Sequence, residues 1–353
     1  MKEHFNFHSA LPLHLAAIKP KQADFCLSVF KILQEKLNIS RKELQNISFL
    51  LAISGGVDSV AMLAIFKACQ QYFGYTLHVA HFNHGIREES AAEEKLVQKI
   101  CKRLDIPLTM DKGNTPLYAK EHKIGLEEAG RILRYAFFSA LRQKEKNCIL
   151  CTAHHANDLC EDMLMRLIRG TAWPQLAGMP YFDPERKLLR PLLYTSKQEL
   201  SDFAEQLDFP FARDTSNTDL SFLRNRVREQ IIPLLEKENP KFYQNILKLK
   251  QNAEYDETHF QNETNAVLTH LEQCGNKLAV PLAILQKNDK TIRLHTYRAL
   301  LKKLGQGHSV TATFEKLDTA VMKNQGSSEF KFSNDARMRI QEKKLYCFIK
   351  TNA

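Results

Sequence analysis

The stretch Ser54-Gly55-Gly56-Val57-Asp58-Ser59 combines residue types that suit phosphate chemistry. Paired glycines let a backbone approach a phosphate with no Cβ in the way, and the free N–H groups of a helix start favour an anion. Ser54 and Ser59 add hydroxyl donors, with Val57 between them. No G-K-[ST] follows, so this is not a Walker A loop, and no lysine reaches the terminal phosphates. Asp58 stands in the first helical turn instead. A carboxylate beside a triphosphate is repelled unless a cation lies between them, which implies Mg²⁺ held by Asp58 and phosphate oxygens. The plainer alternative is a Gly-rich turn with Asp58 as a dipole-favoured cap.

Further segments carry polar groups at useful spacing. His81-Phe82-Asn83-His84-Gly85-Ile86-Arg87 ends a strand with imidazoles, an amide and a guanidinium, a set able to contact a nucleotide. In Glu127-Glu128-Ala129-Gly130-Arg131-Ile132-Leu133-Arg134-Tyr135 the arginines lie one helical turn apart and can aim at phosphate, or pair with Glu127 or Glu128. In Ala153-His154-His155-Ala156-Asn157-Asp158-Leu159-Cys160-Glu161-Asp162, a helix starting here puts His154, Asp158 and Glu161 on one face. Two carboxylates together suit a cationic ligand. A metal site of His154, His155 and Asp158 competes with that reading but lacks a third imidazole or thiolate at ligand spacing. Arg169, and Arg224, Arg226 and Arg228 further on, suit phosphate contacts, with a solvated charged face as the alternative.

The elements that must position these groups alternate. Strands are expected at Phe49–Ile53, Thr76–Ala80, Pro107–Met110 and Cys148–Thr152, with helices over Val60–Gln70, Glu88–Leu104, Glu127–Gln143 and Ala156–Arg169. That alternation predicts an α/β fold: a Rossmann-like, doubly wound parallel sheet with helices on both faces. Ligands of such sheets sit at the carboxyl ends of the strands, where the strand order reverses. Residues 1–46, with an amphipathic helix at Asp24–Leu37, are expected as an N-terminal extension, and residues 47–235 as the catalytic domain. After Pro233 and Pro240, residues 236–353 are expected as a helical arm (Lys241–Gln273) and a smaller α+β domain with strands at Glu329–Phe332 and Leu345–Ile349, which would bind a polyanionic partner.

Composition bounds the function class. Charged residues make up 25% of the 353 and hydrophobic ones 44%, which argues against disorder and membrane insertion. A net charge of +10 points to a polyanionic partner. The 8 cysteines show no disulfide-framework spacing, which fits reduced thiols in the cytoplasm. Cys148 and Cys151, three apart on a strand, are expected as core thiols.

The loop resembles the PP-loop of the ATP pyrophosphatases, which implies ATP and Mg²⁺ as cofactors, cleavage between the α and β phosphates, and a contribution to ATP binding from His81 and Asn83. The other segments resemble those of the tRNA(Ile)-lysidine synthetases, namely H-x-N-H-G-[LI]-R-x-x-S, E-E-x-A-R-x-x-R-Y, A-H-H-x-D-D-x-x-E-T and R-G…L-x-G-M (Arg169-Gly170…Leu176-Ala177-Gly178-Met179). The closing S-N-x-D (Ser216–Asp219) and R-N-x-x-R elements match as well. This resemblance implies ligation of L-lysine to C2 of cytidine 34 of tRNA(Ile) with a CAU anticodon, through an adenylated base, yielding lysidine, AMP and pyrophosphate. It further implies that Arg131 or Arg134 stabilises pyrophosphate, that Asp158 and Glu161 hold lysine with His154 beside them, that Arg87, Arg169, Arg224, Arg226 and Arg228 contact tRNA, and that residues 236–353 form the tRNA-binding domain. The chain departs from the pattern at Asn157, where an Asp is usual, and at Asp162, where Thr is usual. The related tRNA thiolases carry a C-x-x-C before the arginine helix that is missing here. A 2-thiolating PP-loop enzyme, a small-molecule amide-forming synthetase and a non-catalytic tRNA-binding protein are the competing classes. The oligomeric state is left open, a homodimer included.

Overall fold

The computed structural model describes residues 13–85, 90–212, 220–305, 311–326 and 328–350. The chain divides into two compact units, Met1–Leu249 and Lys250–Ala353. The first begins with α1 (Pro20–Leu37), α2 (Arg41–Leu44), β1 (Ser48–Ala52), α3 (Val57–Phe73), β2 (Thr76–Asn83) and α4 (Ser90–Leu104). It continues with β3 (Leu108–Lys112), α5 (Thr115–His122), α6 (Leu126–Gln143), β4 (Cys148–Cys151) and α7 (Ala156–Ile168). There follow β5 (Phe182–Asp183), β6 (Leu188–Leu189), α8 (Lys197–Gln206), α9 (Leu223–Arg226), a π-helical turn at Val227–Ile231 and α10 (Ile232–Glu238).

The sheet order is β3-β2-β1-β4-β6-β5. Every neighbouring pair is parallel except β5 with β6, an antiparallel edge the sequence reading did not include. Phe49, Leu50 and Leu51 are all buried because helices cover both faces, so β1 reads as a continuous apolar run rather than an alternating one. From β1 the chain winds outward through β2 and β3, then returns to β1's other side as β4. The order therefore reverses between β1 and β4, and the crevice beyond their carboxyl ends is where ligands of such sheets bind.

Helix α1, expected as part of an extension, is built into this unit. Phe30 is fully buried and its ring lies 5.0, 4.8 and 5.4 Å from those of Phe66, Phe73 and Tyr75. Cys148 and Cys151 are buried core thiols, and burial pushes the Cys148 pKa up to about 11. All eight cysteines are free. Among the described residues no helix is long and apolar enough to cross a membrane.

A long helix, α11 (Phe242–Leu268), carries the chain from the first unit into the second. The second unit then comprises β7 (Glu272–Cys274), β8 (Lys277–Pro281), α12 (Leu282–Lys287), α13 (Lys290–Lys303), α14 (Thr311–Met322), β9 (Glu329–Lys331), β10 (Ala336–Gln341) and β11 (Lys344–Ile349). Its antiparallel sheet runs β7-β8-β11-β10-β9 and packs apolar side chains such as Val280, Met338 and Leu345 against Leu300, Phe314 and Leu317. Inside that core Asp318 accepts two hydrogen bonds from Arg293, at 2.7 and 2.9 Å, and one from the Tyr297 hydroxyl at 3.0 Å. The buried charge is thus paired on every side.

Candidate active site at the reversal of strand order

A cleft of ≈ 300 Å³ opens at the carboxyl ends of β1, β2 and β4. The glycine loop forms one wall. Gly55 has φ +101°, a conformation that L side chains rarely adopt, and Gly56 is the N-cap of α3. The Ser59 hydroxyl organises the loop from within: it accepts the N–H groups of Ser54 and Gly55, both at 3.2 Å, and donates to the Gly56 carbonyl at 2.9 Å. Ser54 Oγ accepts the Gly56 N–H at 3.4 Å. The Ala212 N–H donates to the Gly55 carbonyl at 2.9 Å and pins the loop from outside. These bonds spend the loop's own amides. The amides left for an anion are those of the first α3 turn, Val57, Asp58 and Ser59, which have no partner within a helix. Ser59, expected as a phosphate donor, is thus committed to shaping the loop.

Asp58 presents one oxygen to His155, with Oδ2 3.6 Å from Nε2. Its Oδ1 is buried without a partner. A buried, unpaired carboxylate oxygen is costly unless a cation completes it, so the donor at this position fits Mg²⁺ shared with phosphate oxygens.

His81 Nδ1 lies 2.8 Å from the Ile53 carbonyl and therefore carries the ring proton, leaving Nε2 as a buried acceptor with no partner. Burial holds its pKa below the usual value, so the ring stays neutral and can accept an N–H or O–H from a nucleotide. Asn83 is engaged within the protein: Nδ2 donates to Glu94 of α4 at 3.1 Å and Oδ1 accepts the Gly85 N–H at 2.9 Å. His84 is half-buried near Arg134, and its burial together with that charge pushes its pKa down to about 4.

The two arginines of α6 part company. Arg134 lines the cleft and burial lowers its pKa, whereas Arg131 is exposed outside it, 6.0 Å over the Tyr135 ring. A half-buried guanidinium lining a cleft carries the charge and the forked donors that suit an anion.

Helix α7 begins at Ala156 with His155 as N-cap, so His154 lies outside the helix and does not share the expected helical face. It still reaches the cleft from the turn between β4 and α7, with Nδ1 2.9 Å from Thr152 Oγ1. Burial drives its pKa to about 4 against the pull of Asp158. Asp158 lies in the first turn of α7. Burial there opposes ionisation but is outweighed by His155, His154 and Arg224, and its carboxyl is held below the usual range.

Asp158 and Glu161 do not face solvent as a bare anionic pair. Arg224 Nη2 donates to Asp158 Oδ1 at 2.8 Å and its Nε to Glu161 Oε2 at 2.6 Å. Arg228 adds bonds from Nε to Oε1 at 2.6 Å and from Nη2 to Oε2 at 3.0 Å. Glu161 is 1% exposed, so the guanidinium groups are what make its charge tolerable. Arg224 and Arg228, expected as phosphate contacts with a solvated face as the alternative, are here partners of the carboxylates expected to hold an amine. Arg226 clamps the carbonyls of Leu220 and Ser221, at 2.8 and 2.7 Å, and shapes its own turn. Arg169 caps the far end of α7, exposed and roughly 20 Å along the helix from the cleft. Arg87 and Ser216–Asp219 lie outside the described residues.

The departures at Asn157 and Asp162 are absorbed by the scaffold. Asn157 Oδ1 accepts the Lys197 N–H at 3.0 Å, and Asp162 pairs with Arg166 at 2.9 Å. Sequence reasoning missed the bridging position of His155. It also missed Arg190, which is buried at the end of β6, donates to the Pro180 carbonyl at 2.7 Å and lies close enough to depress the His154 pKa. The only signal for Arg190 was an arginine closing the apolar run Leu188-Leu189 before Pro191.

Comparison with known proteins agrees with this geometry. The profile of the PP-loop domain matches residues 30–235. The tRNA(Ile)-lysidine synthase of Nitratidesulfovibrio vulgaris is 35% identical over 306 residues, covering 82% of this chain and 88% of that protein. The Enterococcus faecalis protein of the same name is 31% identical over 293 residues, covering 82% of this chain and 61% of its own length. That of Thermosipho africanus is 38% identical over 209 residues, 59% of this chain and 48% of its own length. Among solved structures, the U34-tRNA thiolase NcsA of Methanococcus maripaludis superposes with a TM-score of 0.53 at 20% identity over 65% of this chain and 79% of that one, a likeness of fold. Matching motifs, cleft and relatives together place the chain in the tRNA(Ile)-lysidine synthase family of PP-loop enzymes.

Proposed function

We propose that the protein ligates L-lysine to C2 of cytidine 34 in tRNA(Ile) with a CAU anticodon, consuming ATP and releasing AMP and pyrophosphate. The observation that carries this is the pairing, in one cleft, of a helix start having a spare Asp58 oxygen with a second helix start bearing Asp158, behind which Glu161 is buried. The α3 amides and Arg134 suit the triphosphate and the departing pyrophosphate, where negative charge grows as the α-phosphorus is attacked. Asp58 would hold Mg²⁺, which when bound offsets phosphate charge. The oxygen at C2 of the ring is a poor leaving group; its adenylation makes AMP the group that leaves. The lysine ε-amine then attacks C2, and its proton needs an acceptor.

The arginines bear on how lysine is held. Two carboxylates balanced by two guanidinium groups offer both signs at one place, which matches the charged ends of an amino acid better than a simple cation. Arg224 and Arg228 suit the α-carboxylate and Asp158 an ammonium group, with Glu161 buried behind them as the counter-charge that holds the two guanidinium groups in place. Because the cluster is charge-balanced, it does not force the attacking amine to stay protonated.

Incubating the protein with ATP, labelled lysine and an unmodified tRNA(Ile) transcript should give labelled tRNA with one AMP and one pyrophosphate per lysine. Accumulation of ADP, or pyrophosphate release that ignores lysine, would contradict the proposal. Asp58→Ala should lower AMP formation by about a hundredfold or more.

A further inference from the structure

His155 stands where the first turns of α3 and α7 meet, 4% exposed. Its Nδ1 accepts the Asp158 backbone N–H at 3.4 Å, so the ring proton sits on Nε2. That nitrogen lies 3.4 Å from Asp158 Oδ2 and 3.6 Å from Asp58 Oδ2. The four carboxylate oxygens are thereby sorted. Asp58 Oδ2 turns to the imidazole, Asp158 Oδ2 turns to the imidazole and also accepts the His155 backbone N–H at 3.1 Å, Asp58 Oδ1 is buried without a partner, and Asp158 Oδ1 takes the Arg224 guanidinium at 2.8 Å.

We propose that His155 is a positioning residue serving both halves of the reaction: its Nε2–H steadies Asp58 with Oδ1 toward the metal and phosphates and, together with the His155 backbone N–H, steadies Asp158 with Oδ1 toward the amino acid. The proposal rests on the function given above. The torsion that spins a carboxylate about its own axis is soft, so an Asp ligand has no intrinsic preference for which oxygen meets a metal. A donor on one oxygen supplies that preference, as partners of metal ligands generally do. It also screens two carboxylates that would otherwise repel across the gap between the helices. One bridge between the two sites makes the lysine subsite depend on how Asp58 is held.

The test separates this bridge from the cap that the same ring provides. In His155→Asn the short amide is a strong N-cap but cannot reach both carboxylates. In His155→Gln the amide N–H comes near the place of Nε2, in a residue that caps poorly. The readouts, on the full chain, are the Mg²⁺ concentration for half-saturation with a non-hydrolysable ATP analogue, followed calorimetrically, and the KM for lysine.

The expected result is that His155→Asn raises both by about tenfold while keeping a near wild-type melting temperature, and that His155→Gln restores most of both. Wild-type values for His155→Asn would overturn the proposal. Defects that track melting temperature across the two variants would overturn it as well, because only the cap would then matter. If the wild-type chain shows Mg²⁺-dependent analogue binding yet makes no lysidine, the functional reading fails and the magnesium titration still decides the role of His155.

Discussion

Glu161 is the residue where charge and burial meet most sharply. Its side chain is 2% exposed and receives three hydrogen bonds from Arg224 and Arg228. Glu161→Gln keeps the shape and removes the charge, leaving two guanidinium groups short of a partner. Hydrogen bonds to charged groups contribute about 1.5–3 kcal/mol each, and the partial exposure of both arginines discounts that figure here. The expected outcome is a loss of roughly 1–3 kcal/mol in urea unfolding, with a rise in lysine KM several times larger than the rise in ATP KM. Equal effects on the two substrates would place Glu161 in the scaffold alone. His84 and His154 set a second expectation. Both have folded pKa values near 4, below the ordinary 6.5, because burial disfavours the imidazolium. Below about pH 6.5 the unfolded chain takes up protons at these histidines that the folded chain refuses, so their contribution to stability falls from there to about pH 4 and is constant beneath it. The loss is on the order of 3 kcal/mol per histidine before solvent screening. His154→Gln should flatten that slope in denaturation midpoints measured across this range, and an unchanged slope would contradict the burial argument.

At the scale of elements, the helix starts do the positioning. The α3 start is shaped by Ser59 and by the backbone of Gly55, whose φ of +101° an alanine adopts only with strain. A Cβ there would also sit 3.5 Å from Glu93 Cβ, ordinary contact, so strain rather than crowding decides the outcome. Gly55→Ala should therefore cost about 1–3 kcal/mol and weaken ATP-analogue binding more than lysine binding, which paired calorimetric titrations would show. On the other side, α7 starts at a histidine cap, and the α9 segment passes into a π-helical turn as it delivers Arg224 and Arg228 to α7's carboxylates. Irregular helical turns of this kind are frequent at functional sites. Nothing local in Leu223–Ile231 announces one, since propensity alone does not distinguish a π turn from an α turn.

For the molecule as a whole, α1 is part of what keeps the catalytic unit folded. Phe30 sits among Phe66, Phe73 and Tyr75 with no exposed surface. Phe30→Ala should cost about 3–5 kcal/mol and lower the melting temperature of the first unit, with kcat little changed in the fraction that stays folded. A negligible effect would mean that α1 is peripheral. The second unit has its own apolar core and its own buried ion pair, Arg293 with Asp318, as a unit with a separate core requires.

Periodicity and short motifs determined a good deal. Alternating apolar runs and helical patterns specified the parallel sheet and its helices, because burial on both faces leaves a signature along each strand. That the glycine loop with Asp58, and Asp158 further on, stand at strand ends opening helices was likewise legible, since their spacing is local and that context is written in neighbouring residues. Only the tertiary structure decided the rest. That Arg224 and Arg228 neutralise Asp158 and Glu161, that Arg131 stays outside while Arg134 turns in, that Arg190 lies beside His154 and that His155 spans two carboxylates all depend on contacts between segments far apart in the chain. A side chain's charge is fixed by its type. Whether that charge is spent on a neighbour or left for a ligand is set by which surfaces the fold brings within a few ångströms, and no spacing along the chain records it.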